Sequence, residues 1–361
     1  MKEANLTQSL PAEWYYSDSQ FYLEKEHLFK KEWIFLCHTQ EIPSANDYLT
    51  TEVMGIPILI LRDEHEQIHV LLNICRHRAA PILTEKRGTL TKPFLVCQYH
   101  AWCYHKDGRF KNAPYTTANS EALDLKKIHF EIARGMIFIN FDPNPSCFES
   151  RKNRLIDEMD AAQFEIERYS FHSQMVREGD FNWKIWVEGF QECYHCPTIH
   201  PIFNKDFHMS QYEVHNKDHF SVHNCPRKVE SSSGSFEGLW MWIYPNCGLP
   251  CYEKVFYTKR VNPKSPTKTE LIYTFFVTNN FSETEASEFF SFIHKITDED
   301  FKICKLVQNN LESGSGRGLF EHGYLNTARE NGVHYFHQLL RSAVSPLNSH
   351  QISSREETIK V

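Results

Sequence analysis

Cys75-Arg76-His77, followed after a gap by Cys97-Gln98-Tyr99-His100, is the stretch on which the reading of this chain turns. Two thiols and two imidazoles arrive as mixed prongs, C-x-H and C-x-x-H. Such a set suits a [2Fe–2S] centre in which imidazoles replace the thiolates on one iron. Each prong ends an apolar run, Ile68–Cys75 and Phe94–Cys97, which places the ligands on neighbouring loops at one tip of a small β-domain. Imidazole is neutral where thiolate is anionic, so the potential lies above that of an all-cysteine centre, and the centre passes single electrons. Trp102 follows the second prong and is placed to shield it. The competing reading is a structural Cys2His2 zinc site, but zinc sites usually combine a C-x-x-C prong with a histidine pair.

Further along comes Glu192-Cys193-Tyr194-His195-Cys196-Pro197-Thr198-Ile199-His200. Glu192 and His195 are three apart and share a face if the segment is helical. Pro197 disfavours helix at Cys196 and ends the element, and His200 then folds back toward the same point. Two imidazoles and a carboxylate leave open positions on a ferrous ion for oxygen and substrate. The alternative is that these histidines are ordinary surface or core residues. With both clusters in one chain, an electron store accompanies an oxygen-activating metal.

The elements around the clusters predict an α+β protein. Asp18 to Trp33 reads as a helix that Asp18 caps, with Phe21, Tyr22, Leu28 and Phe29 as its apolar stripe. Short apolar runs (Val53–Leu61, Ile68–Cys75, Phe94–Cys97, Met136–Phe141) punctuated by turns such as Asp107-Gly108 predict a small all-β domain over residues 34–145. The polar, proline-rich Asp142–Ser146 marks its end. Residues 1–33 and 146–361 form the second domain. There, 150–168, 182–194, 284–312 and 330–341 read as helix, and Gly238–Val277 as an antiparallel sheet flanked by those helices. Ser231–Ser235 reads as a mobile loop and candidate lid, and the polar tail from Ser345 as loosely ordered.

The bulk numbers bound the partners. A net charge of −7 without a basic stripe argues against nucleic acid. The longest apolar run, Gly55–Leu61, is far below the roughly 18 residues of a membrane helix, and Met1–Asn5 begins no secretory signal. The 11 cysteines form no even disulfide framework, so those outside the prongs read mostly as small core residues in a reducing cytoplasm.

With these motifs in place, the chain resembles the catalytic α subunits of Rieske-type non-haem iron oxygenases. The likeness runs from Trp14-Tyr15-Tyr16 and Trp33-Ile34-Phe35 through both prongs, Asn182-Trp183-Lys184 and Glu192–His195, to Glu299-Asp300 and the Glu330–Leu340 stretch. It implies a Rieske [2Fe–2S] domain held by Cys75, His77, Cys97 and His100, and a catalytic domain whose Fe(II) is held by His195, His200 and a later carboxylate. Asp300 matches that carboxylate best, and Asp298 is the fallback. The resemblance marks Glu192 and Asn182 as candidate catalytic residues. It makes Glu192 a bridge between metal sites across a subunit boundary, hydrogen-bonded to His195 and to His100 of a neighbouring chain, which implies a head-to-tail homotrimer. Two departures stand out: Gln98 and Ala101 occupy the places of the family's usual proline and glycine.

The same resemblance implies a terminal oxygenase component that takes O2, a small organic substrate, and electrons from NAD(P)H through a separate flavin/iron–sulfur reductase or ferredoxin. The run Glu188–Pro197 looks like the branch that acts on choline, glycine betaine and carnitine. A quaternary amine suits an aromatic cage, with Phe190, Phe203, Phe207, Trp240, Trp242 and Tyr244 as candidate walls. Hydroxylation or demethylation of an aromatic acid is the alternative. A Rieske electron carrier or redox sensor without oxygenase activity is the alternative of another class.

Overall fold

The computed structural model describes residues 6–201, 207–228, 239–315 and 319–344. The Ser231–Ser235 loop, the tail from Ser345 and Phe203 lie outside them. The chain divides into two compact units, Phe35–Cys147 and the remainder, with the break after the turn at Asp142–Ser146. Both helix and antiparallel sheet are present, in the α+β arrangement expected.

The smaller unit is all β apart from short turns. Its main sheet runs Ile68–Leu72, Ile56–Arg62, Asp47–Val53, Arg87–Thr89, each strand antiparallel to its neighbour. Ile58, Leu59, Ile60 and Leu61 are all fully buried, so this central strand is covered on both faces. The expected strand at Val53–Leu61 is really a strand end, a turn and a strand start. Met54 and Gly55 have φ of 47° and 77°, the paired positive angles of a two-residue hairpin whose twist matches its strands. Arg134-Gly135 repeats the device, at 48° and 81°, between His129–Ala133 and Met136–Asn140.

The two Cys/His prongs are one backbone turn used twice. The Ala79 N–H bonds the Cys75 carbonyl at 3.1 Å and the Ala101 N–H bonds the Cys97 carbonyl at 3.0 Å. The Cys75 N–H bonds the Ala80 carbonyl and the Cys97 N–H the Trp102 carbonyl, both at 2.8 Å. Each turn closes on an alanine in the left-handed region, φ 58° at Ala79 and 55° at Ala101. Because these turns take up the residues next to the cysteines, the flanking strands stop early, at Leu72 and at Leu95–Val96.

The larger unit is built on a seven-stranded antiparallel sheet. Its order is Ser170–Gly179, Lys268–Val277, Val255–Ser265, Cys247–Cys251, Leu239–Ile243, Phe220–Asn224, Glu213–Asn216. Three helices of this unit, Trp183–Phe190, Glu283–Ser315 and Asn331–Val344, carry or support the site. In the long Glu283–Ser315 helix, Ile293, Ile296, Thr297, Cys304 and Gln308 are buried at helical spacing, one stripe along one face.

The first helix differs from its expected form. Ser17, not Asp18, caps it, its Oγ accepting the Gln20 N–H at 3.4 Å. It runs Asp18–Leu23, widens into a π turn over Glu24–Phe29 and stops there, short of Trp33. Glu24 on that turn faces Lys184 of the Trp183–Phe190 helix at 2.6 Å, with side chains 0% and 1% exposed. The remaining carboxylate capacity is used by Trp183 Nε1 at 2.8 Å and Gln20 Nε2 at 3.1 Å. Burial lowers the Lys184 pKa, against the opposing pull of Glu24.

Two stability changes follow from this geometry. Glu24→Gln leaves a buried ammonium without its counter-charge and should cost about 3–5 kcal/mol in denaturant unfolding; an unchanged midpoint would contradict the pairing. Ala101→Gly removes a Cβ from a left-handed position and should add about 1 kcal/mol to the smaller unit. Thermal unfolding reads this directly, and a loss of stability would refute the strain at that turn.

Candidate active site

The Trp183–Phe190 helix begins where Asn182 caps it. The Asn182 Oδ1 accepts the Lys184 N–H at 3.0 Å and Nδ2 donates to the Pro266 carbonyl at 2.6 Å. These bonds occupy its side chain, and Asn182 is not among the residues lining the cavity described below. The structure thus gives it the work of a helix cap rather than contact with substrate.

The helix ends at Phe190, so Glu192 and His195 are not on one helical face. They meet in a turn. The Glu192 carboxylate accepts the backbone N–H groups of Tyr194 and His195, and its Oε1 bonds His195 Nδ1. Pro197 then sits in the first turn of the short Cys196–Ile199 helix, where its missing N–H costs nothing. It starts an element instead of ending one. Cys193 and Cys196, read as core residues, form a disulfide across this turn with Cα atoms 5.0 Å apart, bracketing His195.

His195, His200 and Asp300 converge, each offering one ligand atom within 4.8 Å of the others. His200 Nε2 lies 2.9 Å from Asp300 Oδ1, and His195 Nε2 lies 3.8 Å from the same oxygen. Each imidazole has a second carboxylate on Nδ1: Glu192 for His195 and, at 2.7 Å, Glu299 for His200. That outer pair holds both rings with Nε2 toward Asp300, the arrangement by which carboxylates orient metal-binding histidines. The donor set, two imidazoles and one carboxylate with outer carboxylates behind, fits a ferrous ion. Burial opposes the His195 imidazolium, but Glu192 and Asp300 outweigh it and raise its pKa.

Asp298, the fallback, points elsewhere and pairs with Arg177 at 2.7 Å. Glu299 was recognised in sequence as a neighbour of Asp300 without a role. Adjacent helical positions project about 100° apart, yet these two reach opposite nitrogens of the same ring.

A cavity of about 320 Å³ opens beside the three residues. Of the expected cage walls, Phe190, Phe207 and Trp240 line it. Trp242 does not; it packs behind Phe190 and Trp186, at 5.6 and 6.4 Å between ring centroids. Tyr244 packs instead against Phe336. Trp186, Tyr252, Tyr257 and Phe292 line the cavity and were not anticipated. Strand and helix periodicity marks them as apolar-face residues, but no pattern separates a core face from a cavity face.

In the smaller unit, Cys75 and Cys97 are buried, 2% and 1% exposed. His77 and His100 are exposed, with ring centroids 4.6 Å apart. Tyr104 OH meets Cys75 Sγ at 3.2 Å, and the N–H groups of Tyr99 and His100 reach the Cys97 sulfur. Trp102 stacks on His77 at 4.9 Å with the planes 5° apart. A buried sulfur pair with hydrogen-bond donors and an outward imidazole pair fit a two-iron centre whose histidine iron is the one near solvent.

Comparison with known proteins agrees with both halves. Residues 32–129 match the Rieske [2Fe-2S] domain, and residues 166–345 match the ring hydroxylating alpha subunit catalytic domain. The carnitine monooxygenase oxygenase subunit of Escherichia coli K12 is 26% identical over 348 residues, covering 92% of each chain. The glycine betaine monooxygenase oxygenase subunit of Chromohalobacter salexigens is 33% identical over 196 residues, 54% of this chain and 43% of that one. A solved quaternary ammonium Rieske monooxygenase superposes with a TM-score of 0.85 at 25% identity, covering 94% of this chain and 96% of that one. A naphthalene 1,2-dioxygenase from Rhodococcus shares the fold, with a TM-score of 0.76 at 18% identity over 94% of each chain. No helix among the described residues is long and apolar enough to cross a membrane. The chain belongs to the Rieske-type non-haem iron oxygenases, as an α subunit that carries a [2Fe–2S] cluster and Fe(II).

Proposed function

We propose that the protein is the terminal oxygenase component of a monooxygenase acting on a small quaternary amine, by hydroxylation or oxidative demethylation. Electrons come from NAD(P)H through a separate flavin/iron–sulfur reductase or ferredoxin. The observation that carries this reading is the convergence of His195, His200 and Asp300 at an aromatic-walled cavity of about 320 Å³. Phe207 and Trp240 meet there at 5.3 Å, and Trp240 and Tyr252 at 6.3 Å, ring faces of the kind that attract a quaternary ammonium. Relatives named for carnitine and glycine betaine support the substrate class.

In this reading His195, His200 and Asp300 hold the Fe(II), and Cys75, His77, Cys97 and His100 hold the cluster. When bound, the cluster would supply single electrons and the Fe(II) would supply oxygen activation. The protein's residues do the rest. Glu192 and Glu299 hold the two imidazoles in orientation. The cavity walls exclude water from the reacting carbon. The exposed His77–His100 pair is the electron exit of the smaller unit. Glu192 is the receiving group, bridging to His100 of a neighbouring subunit in a head-to-tail trimer, a role consistent with a related monooxygenase described for inter-subunit electron transfer.

The purified holoenzyme should contain about three irons and two acid-labile sulfides per chain; zinc in their place would overturn the scheme. His195→Ala should lower iron by about one third, abolish turnover and keep the cluster's visible and EPR spectra. Loss of those spectra would contradict the two-site assignment. Glu192→Gln should keep both metals yet slow single-turnover oxidation of the reduced cluster by about 10–100-fold; normal transfer would remove it from the electron path. O2 uptake with a surrogate reductase should respond to trimethylammonium compounds, and a response to aromatic acids alone would refute the substrate class.

A further inference from the structure

Lys259 is in the middle of the strand Val255–Ser265, paired in register with Tyr273 on one side and Gly248 on the other. It is 9% exposed and lines the cavity. Its Nζ lies over four rings, at 5.1 Å from Phe190, 5.3 Å from Trp186 and 5.6 Å from both Tyr257 and Tyr273. Gly248 leaves the room for this: a Cβ there would meet Phe190 Cε2 at 3.1 Å and Lys259 Cβ at 3.4 Å. Among the described residues Nζ has no hydrogen-bond or ion-pair partner. The other buried lysines among the described residues are paired, Lys184 with Glu24 and Lys106 with Glu64.

Such an aromatic box already holds a cation, the protein's own, so it has no place for the ammonium of a substrate. Ring faces offset part of the cost of burying the charge, but a buried ammonium without a counter-ion is left uncompensated. Lys259 is the one lysine or arginine among the described residues that line the cavity. Burial lowers its pKa to about 8, with Asp300 opposing, and at neutral pH the amine remains largely protonated.

His223 contributes a second unsatisfied group in the same wall. Its ring lies 5.5 Å from that of Phe190, and burial, with His215, pulls it down to about 3, so it is neutral. Tyr212 OH bonds Nδ1 at 2.5 Å, while Nε2 is buried without a partner. If the tyrosine accepted, both its own proton and the Nε2 lone pair would be orphaned; if it donates, the single orphan is an Nε2–H. The second arrangement leaves an N–H donor in the wall that also holds Lys259.

We infer that Lys259 is a specificity-determining residue that anchors a carboxylate of the substrate, with His223 Nε2–H as the second donor. Resting on the quaternary-amine reading, the substrate is then an ammonium carboxylate, a zwitterion. Its positive end goes to the Phe207, Trp240 and Tyr252 rings and its negative end to Lys259. A cationic alcohol of the same size lacks the second contact. An aromatic carboxylate would satisfy Lys259 equally, and the test separates the two sources.

The test is anaerobic calorimetric binding to the holoenzyme without reductant, so that no turnover intervenes. Two matched pairs are used: glycine betaine against choline, and benzoate against benzyl alcohol. Wild type should bind glycine betaine at least about tenfold more tightly than choline. Lys259→Met should erase that gap and Lys259→Arg should keep most of it. Equal affinity within both pairs, no binding of either carboxylate, or a gap that survives in Lys259→Met overturns the anchor. If Lys259→Met fails to fold with its cluster spectrum, the wild-type gap and its retention in Lys259→Arg decide. A Lys259-dependent gap confined to the benzoate pair keeps the anchor and refutes the quaternary-amine reading instead.

Discussion

The geometry of the His195, His200 and Asp300 set depends on one buried junction between two helices far apart in the chain. Gln308, 2% exposed on the long Glu283–Ser315 helix, accepts the Asn182 N–H at 2.8 Å and donates to the Tyr15 carbonyl at 3.1 Å. It therefore satisfies one backbone donor at the start of the Trp183–Phe190 helix, a position where helices leave such groups unpaired. Asp300 lies on the same stripe, about 12 Å up the helix axis at 1.5 Å per residue. His195 and His200 come after the Trp183–Phe190 helix, at the two ends of the Cys196–Ile199 helix. With Gln308 pinned to Asn182, the carboxylate and the imidazoles are presented to one another, and the Glu24–Lys184 pair ties the Trp183–Phe190 helix to the Glu24–Phe29 turn.

Around that frame, charge is handled in two ways. Glu24 and Lys184 are buried together as an ion pair, with Trp183 and Gln20 donating to the same carboxylate. Lys259 is buried alone, its positive charge met by ring faces rather than by an anion. Closed pairs of the first kind hold a fold together. A cavity-facing cation of the second kind keeps its strongest interaction in reserve for a ligand, since desolvated charge in an aromatic surround gains more from an incoming carboxylate than it would in water.

The sequence was legible where chemistry is local. The prongs Cys75/His77 and Cys97/His100 were readable because the thiol and imidazole of each prong lie within one turn, and His195 and His200 because only four residues, one of them a proline, separate them. Asp300 needed the family likeness, since an acidic residue on a helix looks like any other. Glu299 went unassigned for the same reason. The cage was half legible: Phe190, Phe207 and Trp240 line the cavity, whereas Trp242 and Tyr244 pack behind and beside it. Aromatic content on a strand predicts burial but does not distinguish a face that meets other side chains from one that meets empty space.

The expected type of metal chemistry was readable in the sequence alone, because ligand type and spacing within a turn are covalent facts. So was the alternation of a β-rich first part and a mixed second part, because hydrophobic period and turn residues act over a few positions. The tertiary structure decided which carboxylate faces the histidines, which rings face the cavity and which buried lysine lacks a partner. Each of those depends on contacts between segments tens to hundreds of residues apart. Such contacts are selected by packing of the whole unit, and no local pattern in the chain records them.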